Sequence, residues 1–199
     1  MSSFTVCCAC NNRQPVSLVS SLYPVAHGAR IAICRPSPRW FTLAASWVSD
    51  PSINRTLITA TPWPLEPAQM PAWLPVAEPP TAFLLALQES LERPIGLSHF
   101  HSFDERSKSI KLAILLEPNF QGQGLGTEAV AVMLEYAFKT FDLHRVSLSA
   151  FSSNPAGLRA YERAGFRFEG VRRKAWFRDG EWHDDVVMAV LRSEWQERA

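Results

Sequence analysis

The chain of 199 residues is long enough for one medium domain or a tight pair, and its 47% hydrophobic content supplies a sizeable core. Charged residues make up 20% and sum to a net charge of +1, which excludes disorder by composition and argues against a nucleic-acid partner held by broad electrostatics. No apolar run approaches the ~18 residues needed to span a bilayer, so no membrane partner is expected.

Residues 1–49 contain no Asp or Glu but carry Arg13, Arg30, Arg35 and Arg39 among many serines, a composition like that of a transit peptide. The segment lacks the basic start and apolar core of a secretory leader, and a cytoplasmic protein is the favoured expectation, with mitochondrial import as the alternative. Cys7, Cys8 and Cys10 cluster beside a lone Cys34, but no His or Cys pair completes a zinc spacing, so reduced thiols and no metal are expected. Residues 1–30 read as an N-terminal extension of uncertain role, and 31–199 as a single domain.

Twelve of the fifteen prolines lie between Pro15 and Pro80, so the stretch "ATPWPLEPAQMPAWLPVAEPP" cannot hold one long helix and reads as turns and a fragmentary helix. From Thr81 the chain becomes regular. "TAFLLALQE" is a strand or short helix by length, "RPIGLSHFHSF" and "SIKLAILL" read as strands, and "DERSK" is the natural hairpin between the last two. Residues 125–140 predict a helix with Ala129, Met133, Tyr136 and Ala137 on one stripe, and "HRVSLSAF" a buried strand. "NPAGLRAYERAG" is a helix with Asn154 at the N-cap, Pro155 in the first turn and Gly165 past the end. "FRFEGVRRKAWF" and "EWHDDVVMAVL" are strands joined across Asp179-Gly180, a hairpin signal. The order strand, strand, helix, strand, helix, strand, strand predicts an α/β fold: a mixed sheet with helices packed against it.

"NFQGQGLGTEAV" (119–130) places three of nine glycines within five residues, at the mouth of the helix. Glycine there costs chain entropy and serves a backbone that approaches something closely. A nucleotide-triphosphate loop fails, because Gly126 is followed by Thr127-Glu128 and not by Lys-Ser/Thr. Gly124-x-Gly126-x-x-Ala129 nominally fits a dinucleotide fingerprint, but "EPNFQ" separates it from its strand and no acid follows at the ribose position. The third reading is an anion-binding loop in which amides from Gln121 to Thr127 converge on the positive end of a helix. A plain turn into the helix is the bland alternative.

Q-x-x-G-x-G, met by Gln121, Gly124 and Gly126, resembles the acyl-coenzyme A pyrophosphate loop of the GNAT superfamily of N-acyltransferases. "NPAGLRAYERAGF" is similar to that superfamily's N-x-x-A-x-x-x-Y-x-x-x-G-F signature through Asn154, Tyr161, Gly165 and Phe166, with Gly157 in place of the alanine and Ala156 one position early. "WVSDPSINR" (47–55), "RPIG" (93–96), "FEGVRR" (168–173) and "GEWHDDVVMAVLRSEW" (180–195) resemble the branch containing the ribosomal-protein alanine acetyltransferases. The resemblance covers roughly residues 30–197, with its motifs in the family order.

It implies the GNAT fold, a mixed twisted sheet splayed at the cofactor site with helices on both faces. It also implies acetyl-CoA as co-substrate and direct transfer to a primary amine of a small molecule or a peptide or protein N-terminus. The cofactor-binding positions it marks are Leu115, Leu116, Gln121, Gly122, Gln123, Gly124, Leu125, Gly126, Thr127, Asn154 and Ala156. A backbone N–H near Leu115 or Leu116 would face the thioester oxygen. Tyr161 matches the general acid that protonates the departing sulfur; its bland reading is a core tyrosine beside Leu158.

The base is where the chain departs from its relatives. Many members carry an acid at the place of Lys111, and others in the strand that here reads "KAWF". Glu117, with His99, His101 and His183, remain as candidates, against bland readings as a strand-end carboxylate and half-exposed strand histidines. Trp63 and Trp73 lie in the region that covers the acceptor site in the superfamily, where aromatic walls could hold a cation; the alternative is a loop-covered core or a homodimer contact. The rival functions are a catalytically inactive acyl-CoA-binding GNAT module, a dinucleotide oxidoreductase, and a covalent acyl-enzyme at Cys34.

Overall fold

The computed structural model describes residues 22–57, 64–75 and 79–198. Eight strands form one sheet in the order β1-β2-β3-β4-β5-β6-β8-β7. They are β1 (Pro24–His27), β2 (Ile31–Cys34), β3 (Ala82–Leu87), β4 (Gly96–Asp104), β5 (Ser109–Leu116), β6 (Arg145–Phe151), β7 (Arg167–Arg178) and β8 (Glu181–Leu191). Every neighbouring pair is antiparallel except β5 and β6, which run parallel. "TAFLLALQE", open between strand and helix, is the strand β3; five of its six residues are buried because it lies inside the sheet with a layer on each face.

Helices cover both faces. Helices α1 (Phe41–Ser49), α2 (Pro51–Asn54) and α3 (Met70–Trp73) lie on one side, in a cluster with Ala32, Leu84, Leu97 and Leu115. Helices α4 (Leu125–Thr140) and α5 (Pro155–Ala164) lie on the other, over Phe83, Ile110, Leu112, Leu148 and Met188. A short α6 (Arg192–Gln196) brings Trp195 against Phe138, with ring centroids 5.3 Å apart. The alternation of β5 decides which residue meets which layer.

Helix α4 has the predicted bounds, and its buried residues include the whole expected stripe. Helix α5 is capped as predicted: Asn154 accepts from the Gly157 amide, and Gly165 closes the helix at φ 111°. Asp179 and Gly180 both take positive φ, 53° and 84°, giving the two-residue turn whose twist suits a hairpin. β1 pairs with β2 at the sheet edge, so residues 24–27, within the stretch 1–30 expected as an extension, belong to the sheet. Cys7, Cys8 and Cys10 lie outside the described residues. Among the described residues no group of three or more His, Cys, Asp or Glu is placed to hold a metal ion, and no helix is long and apolar enough to cross a membrane.

Candidate active site

β5 and β6 pair only over Ser109–Lys111, opposite Arg145–Ser147, and then part. The Glu117 amide bonds to the Ile95 carbonyl, on the β4 side of β5. Backbone groups alternate sides along a strand, so Leu115, Ala113 and Lys111 also face β4, while Leu112, Ile114 and Leu116 face the gap. The Ser147 hydroxyl donating to the Ile110 carbonyl confirms this phase. The register thus assigns the N–H groups of the gap to Leu112, Ile114 and Leu116; Leu115, expected as an alternative to Leu116, is engaged with β4.

At the end of β5 the glycine stretch turns into α4. Gly122 and Gly124 adopt φ of 73° and 80°, the left-handed region that favours glycine. Gly126 has no such need: a Cβ there would meet only Leu116 Cδ1, at 3.5 Å, so the protein itself leaves room over this residue. Gly124 occupies the N-cap of α4 without a side-chain cap, which leaves the first helical amides directed outward with the positive helix end behind them. Gln121 acts as a strut, its Nε2 donating to the Leu116 carbonyl at 2.8 Å.

The loop is also fastened from β1–β2. The Glu128 carboxylate accepts from the amides of Arg30 and Ile31 and pairs with the Arg30 guanidinium at 3.0 Å. Arg30 Nη1 donates to the Gln123 carbonyl. Partial burial pulls the Glu128 carboxyl upward, but those two amides and the guanidinium outweigh it and hold it below its usual range.

The gap and the loop open into one cleft of about 920 Å³. From α5 it is lined by Asn154, Ala156, Gly157, Arg159, Tyr161 and Arg163. A Cβ on Gly157 would come within 2.7 Å of Asn154 Nδ2, so the glycine standing where the family has alanine makes room for the capping amide. Burial pushes the Tyr161 phenol up to about 12, so it carries its proton throughout the neutral range.

On the α1–α3 face of the sheet the cleft is walled by Trp73, His99, His101 and Lys111. Trp73 and His99 meet edge-on at 5.9 Å, His99 and His101 lie 5.4 Å apart, and His101 sits opposite Lys111 in the β4–β5 register. Burial, and after it the neighbouring His101, push the His99 imidazole down to about 4. His101 is lowered by burial and by Lys111. Both rings are therefore neutral at pH 7.

The acetyltransferase (GNAT) domain family matches this chain over residues 35–167, well over half its length. The protein belongs to the GNAT family. YnaD of Bacillus subtilis, an uncharacterized N-acetyltransferase, is 35% identical over 81 residues, covering 41% of this chain and 48% of that protein. The chain spans about half the length of the curated relatives it matches first. In fold it is similar to the spermidine N-acetyltransferase of Vibrio cholerae in complex with CoA and spermine, with TM-score 0.73 and 19% identity over 85% of this chain and 99% of that one. It is also similar to Mycobacterium smegmatis RimJ in complex with CoA-disulfide, with TM-score 0.70 and 18% identity over 82% and 83%.

This GNAT cleft gathers most of the residues expected from sequence: Leu115, Leu116, Gln121, Gly122, Gly124, Gly126, Thr127, Asn154, Ala156, Tyr161, Trp73, His99 and His101 all line it. Four do not. Leu125 turns into the core beneath α4, and Gln123 folds back to the Asn119 carbonyl. Glu117, one of the base candidates, pairs with Arg93 at 2.8 Å and is not on the cleft wall. Trp63 lies outside the described residues. Sequence reasoning missed Arg159 and Arg163, whose i, i+4 spacing on α5 was a usable signal, and Arg172 and Trp176, whose place depends on the β7–β8 register. It also missed Arg30, which acts across 98 residues and leaves no local signature.

Proposed function

We propose that this GNAT protein transfers an acetyl group from acetyl-CoA directly to a primary amine, on a small molecule or a peptide or protein N-terminus. One observation carries the reading: an opened parallel strand pair, an amide-lined loop at a helix N-terminus and a protonated phenol share one cleft. The residues fit the cofactor, since Gly126 leaves space over its backbone and the gap offers N–H groups without a strand partner. Acetyl-CoA supplies the acetyl group as a thioester, and the remaining requirements fall to the protein and the amine.

Amides from Gly122 to Thr127, with the α4 N-terminus behind them, would hold the diphosphate, while the Gln121 amide is bonded to the Pro118 carbonyl. The N–H groups of Leu112, Ile114 and Leu116 would hold the cofactor's arm and supply a donor for the carbonyl oxygen. Tyr161 holds a proton at its phenolic oxygen for the departing sulfur. Among the described residues no carboxylate lines the cleft, and a histidine lowered to about 4 is a poor proton acceptor at neutral pH. The amine therefore enters neutral, which suits an α-amino group of ordinary pKa near ~7.7–8.0 far better than an alkyl ammonium near ~10.4.

The missing carboxylate favours one second reading, a GNAT fold that binds acyl-CoA without catalysis. Melting the protein with acetyl-CoA, CoA and NAD in parallel, followed by mass spectrometry of amine mixtures, separates them. Ligand at a hundred times its Kd adds about 2.7 kcal/mol, or roughly 5–10 °C for a chain of this size. Both CoA species should shift the melt and NAD should not, and acetylated amine should appear. A shift without product supports the binding module; no shift removes the acetyltransferase reading.

A further inference from the structure

We propose that the acceptor amine carries an anionic group, a carboxylate or a phosphate, seated by Lys111, Arg172 and Trp176 on the sheet face opposite α4 and α5. The inference rests on the cleft being an acetyltransferase site and names the class of amine it takes.

Strand alternation places these residues on one face. Leu112 and Leu148 point into the α4 layer, so Lys111 and Ser149 point the other way. Val186 also points into the α4 layer, which turns Asp185 and its cross-strand partner Arg172 to the same side as Lys111. Trp176 stands opposite His183 in that ladder and is among the residues lining the cleft.

Three unpartnered donors stand on this wall, beside two other unpartnered buried atoms, His99 Nδ1 and Asp185 Oδ1. Trp176 Nε1 is buried with no acceptor, and an indole N–H can only donate. Lys111 Nζ has no ion-pair or hydrogen-bond partner among the described residues. Arg172 spends Nε and Nη2 on the Asp185 Oδ2 and leaves Nη1 without a partner among the described residues. Asp185 is fully buried beneath that guanidinium, which compensates its charge, and it does not line the cleft. His99 and His101 add no negative charge. Among the described residues the wall thus presents three unused donors, one of them an uncompensated cation, and no carboxylate lines it. Trp176 Nε1, the buried one of the three, requires an acceptor, and the exposed Lys111 and Arg172 add positive charge beside it; a polyamine's ammonium groups meet like charge there and supply no acceptor. A carboxylate or phosphate supplies several.

The test uses the full chain loaded with CoA. Matched pairs are titrated by calorimetry and assayed for acetylation: amino acids against their amides, 2-aminoethyl phosphate against ethanolamine, and spermidine as the polycation. Each anionic member should bind about tenfold or more tightly than its uncharged counterpart, the scale of one charge-assisted hydrogen bond. The better of the carboxylate and phosphate series names the source. Lys111→Met should erase the preference, Lys111→Arg should retain it, and Lys111→Glu should turn it toward spermidine. Preference for uncharged or cationic members, binding of no member, or an unchanged ratio in Lys111→Met would overturn the inference. The CoA-induced melting shift is measured in every variant, so loss of the cofactor site is seen separately from loss of acceptor preference.

Discussion

Tyr161 is a partly buried phenol on a short helix, and two descriptions of it make different predictions. As a packing residue it fills the angle between α5 and Phe166, whose ring lies 6.2 Å away. As a proton donor it needs only to keep its proton and reach the cleft, and burial secures the first by pushing the phenol up to about 12. A thiolate leaving group near pKa 8.5 gains modestly from an acid, so Tyr161→Phe should lower kcat by roughly tenfold to a hundredfold. The Kd for CoA should stay within about twofold, because the ring is kept. A raised folded-state pKa keeps the protonated form present to about pH 12, so kcat should show no fall centred near 10 from this group. Stopped-flow rates across pH 7–10.5 check both statements; an unchanged kcat in Tyr161→Phe would leave it a packing residue.

Among the elements, the hairpin of β1 and β2 matters beyond its size, because it fixes the loop at the start of α4. Glu128→Ala would orphan the amides of Arg30 and Ile31, the latter in a fully buried residue. Loss of such acceptors costs about 1–3 kcal/mol, so the melting temperature should fall by several degrees, and CoA affinity should weaken as Gln123 loses its tether through Arg30. The carboxyl is depressed in the folded state, so its contribution is present above the ordinary value of 4.5 and is lost as pH falls through the lower folded value. Calorimetry of wild type and Glu128→Gln between pH 7 and 3 should therefore show curves that converge on the acid side. None of this link is written locally. Helix α5 was legible because its cap, first-turn proline and terminal glycine are adjacent in sequence, and the β7–β8 turn because Asp-Gly dictates its geometry. β2 was not, since all four of its residues are buried and an interior strand has no alternation to read. The same divide runs through the site: the loop and Tyr161 belong to contiguous motifs, whereas Lys111 and Arg172 share a face only once strand phase and register are known.

At the scale of the whole molecule, the parting of β5 from β6 leaves the sheet in two parts, β1–β5 and β6-β8-β7, joined by three paired residues. What holds the parts together is the layer under α4, whose cluster draws Phe83, Ile110 and Leu112 from one part and Val146, Leu148 and Met188 from the other. On the opposite face, Arg178 Nη1 reaches the Asn54 side chain at 2.9 Å and ties α2 to β7. A ligand lying in the gap would bridge the same divide, so cofactor binding and global stability are coupled through the sheet. The coupling should be weak for a defect far from the gap. Phe83 is fully buried against Tyr136, at 5.0 Å, and Phe100, at 6.2 Å, in the part that the cleft does not open. Phe83→Ala should cost about 3–5 kcal/mol. For a chain of this size that is roughly 10 °C of melting temperature. Because one cluster spans both parts, calorimetry should show a single transition, with CoA affinity at 15 °C within about twofold of wild type. Leu148→Ala, in the same cluster but on the wall of the gap, should lose comparable stability and weaken CoA as well. Two separate transitions in Phe83→Ala would show that the parts fold independently and that the α4 layer does not join them.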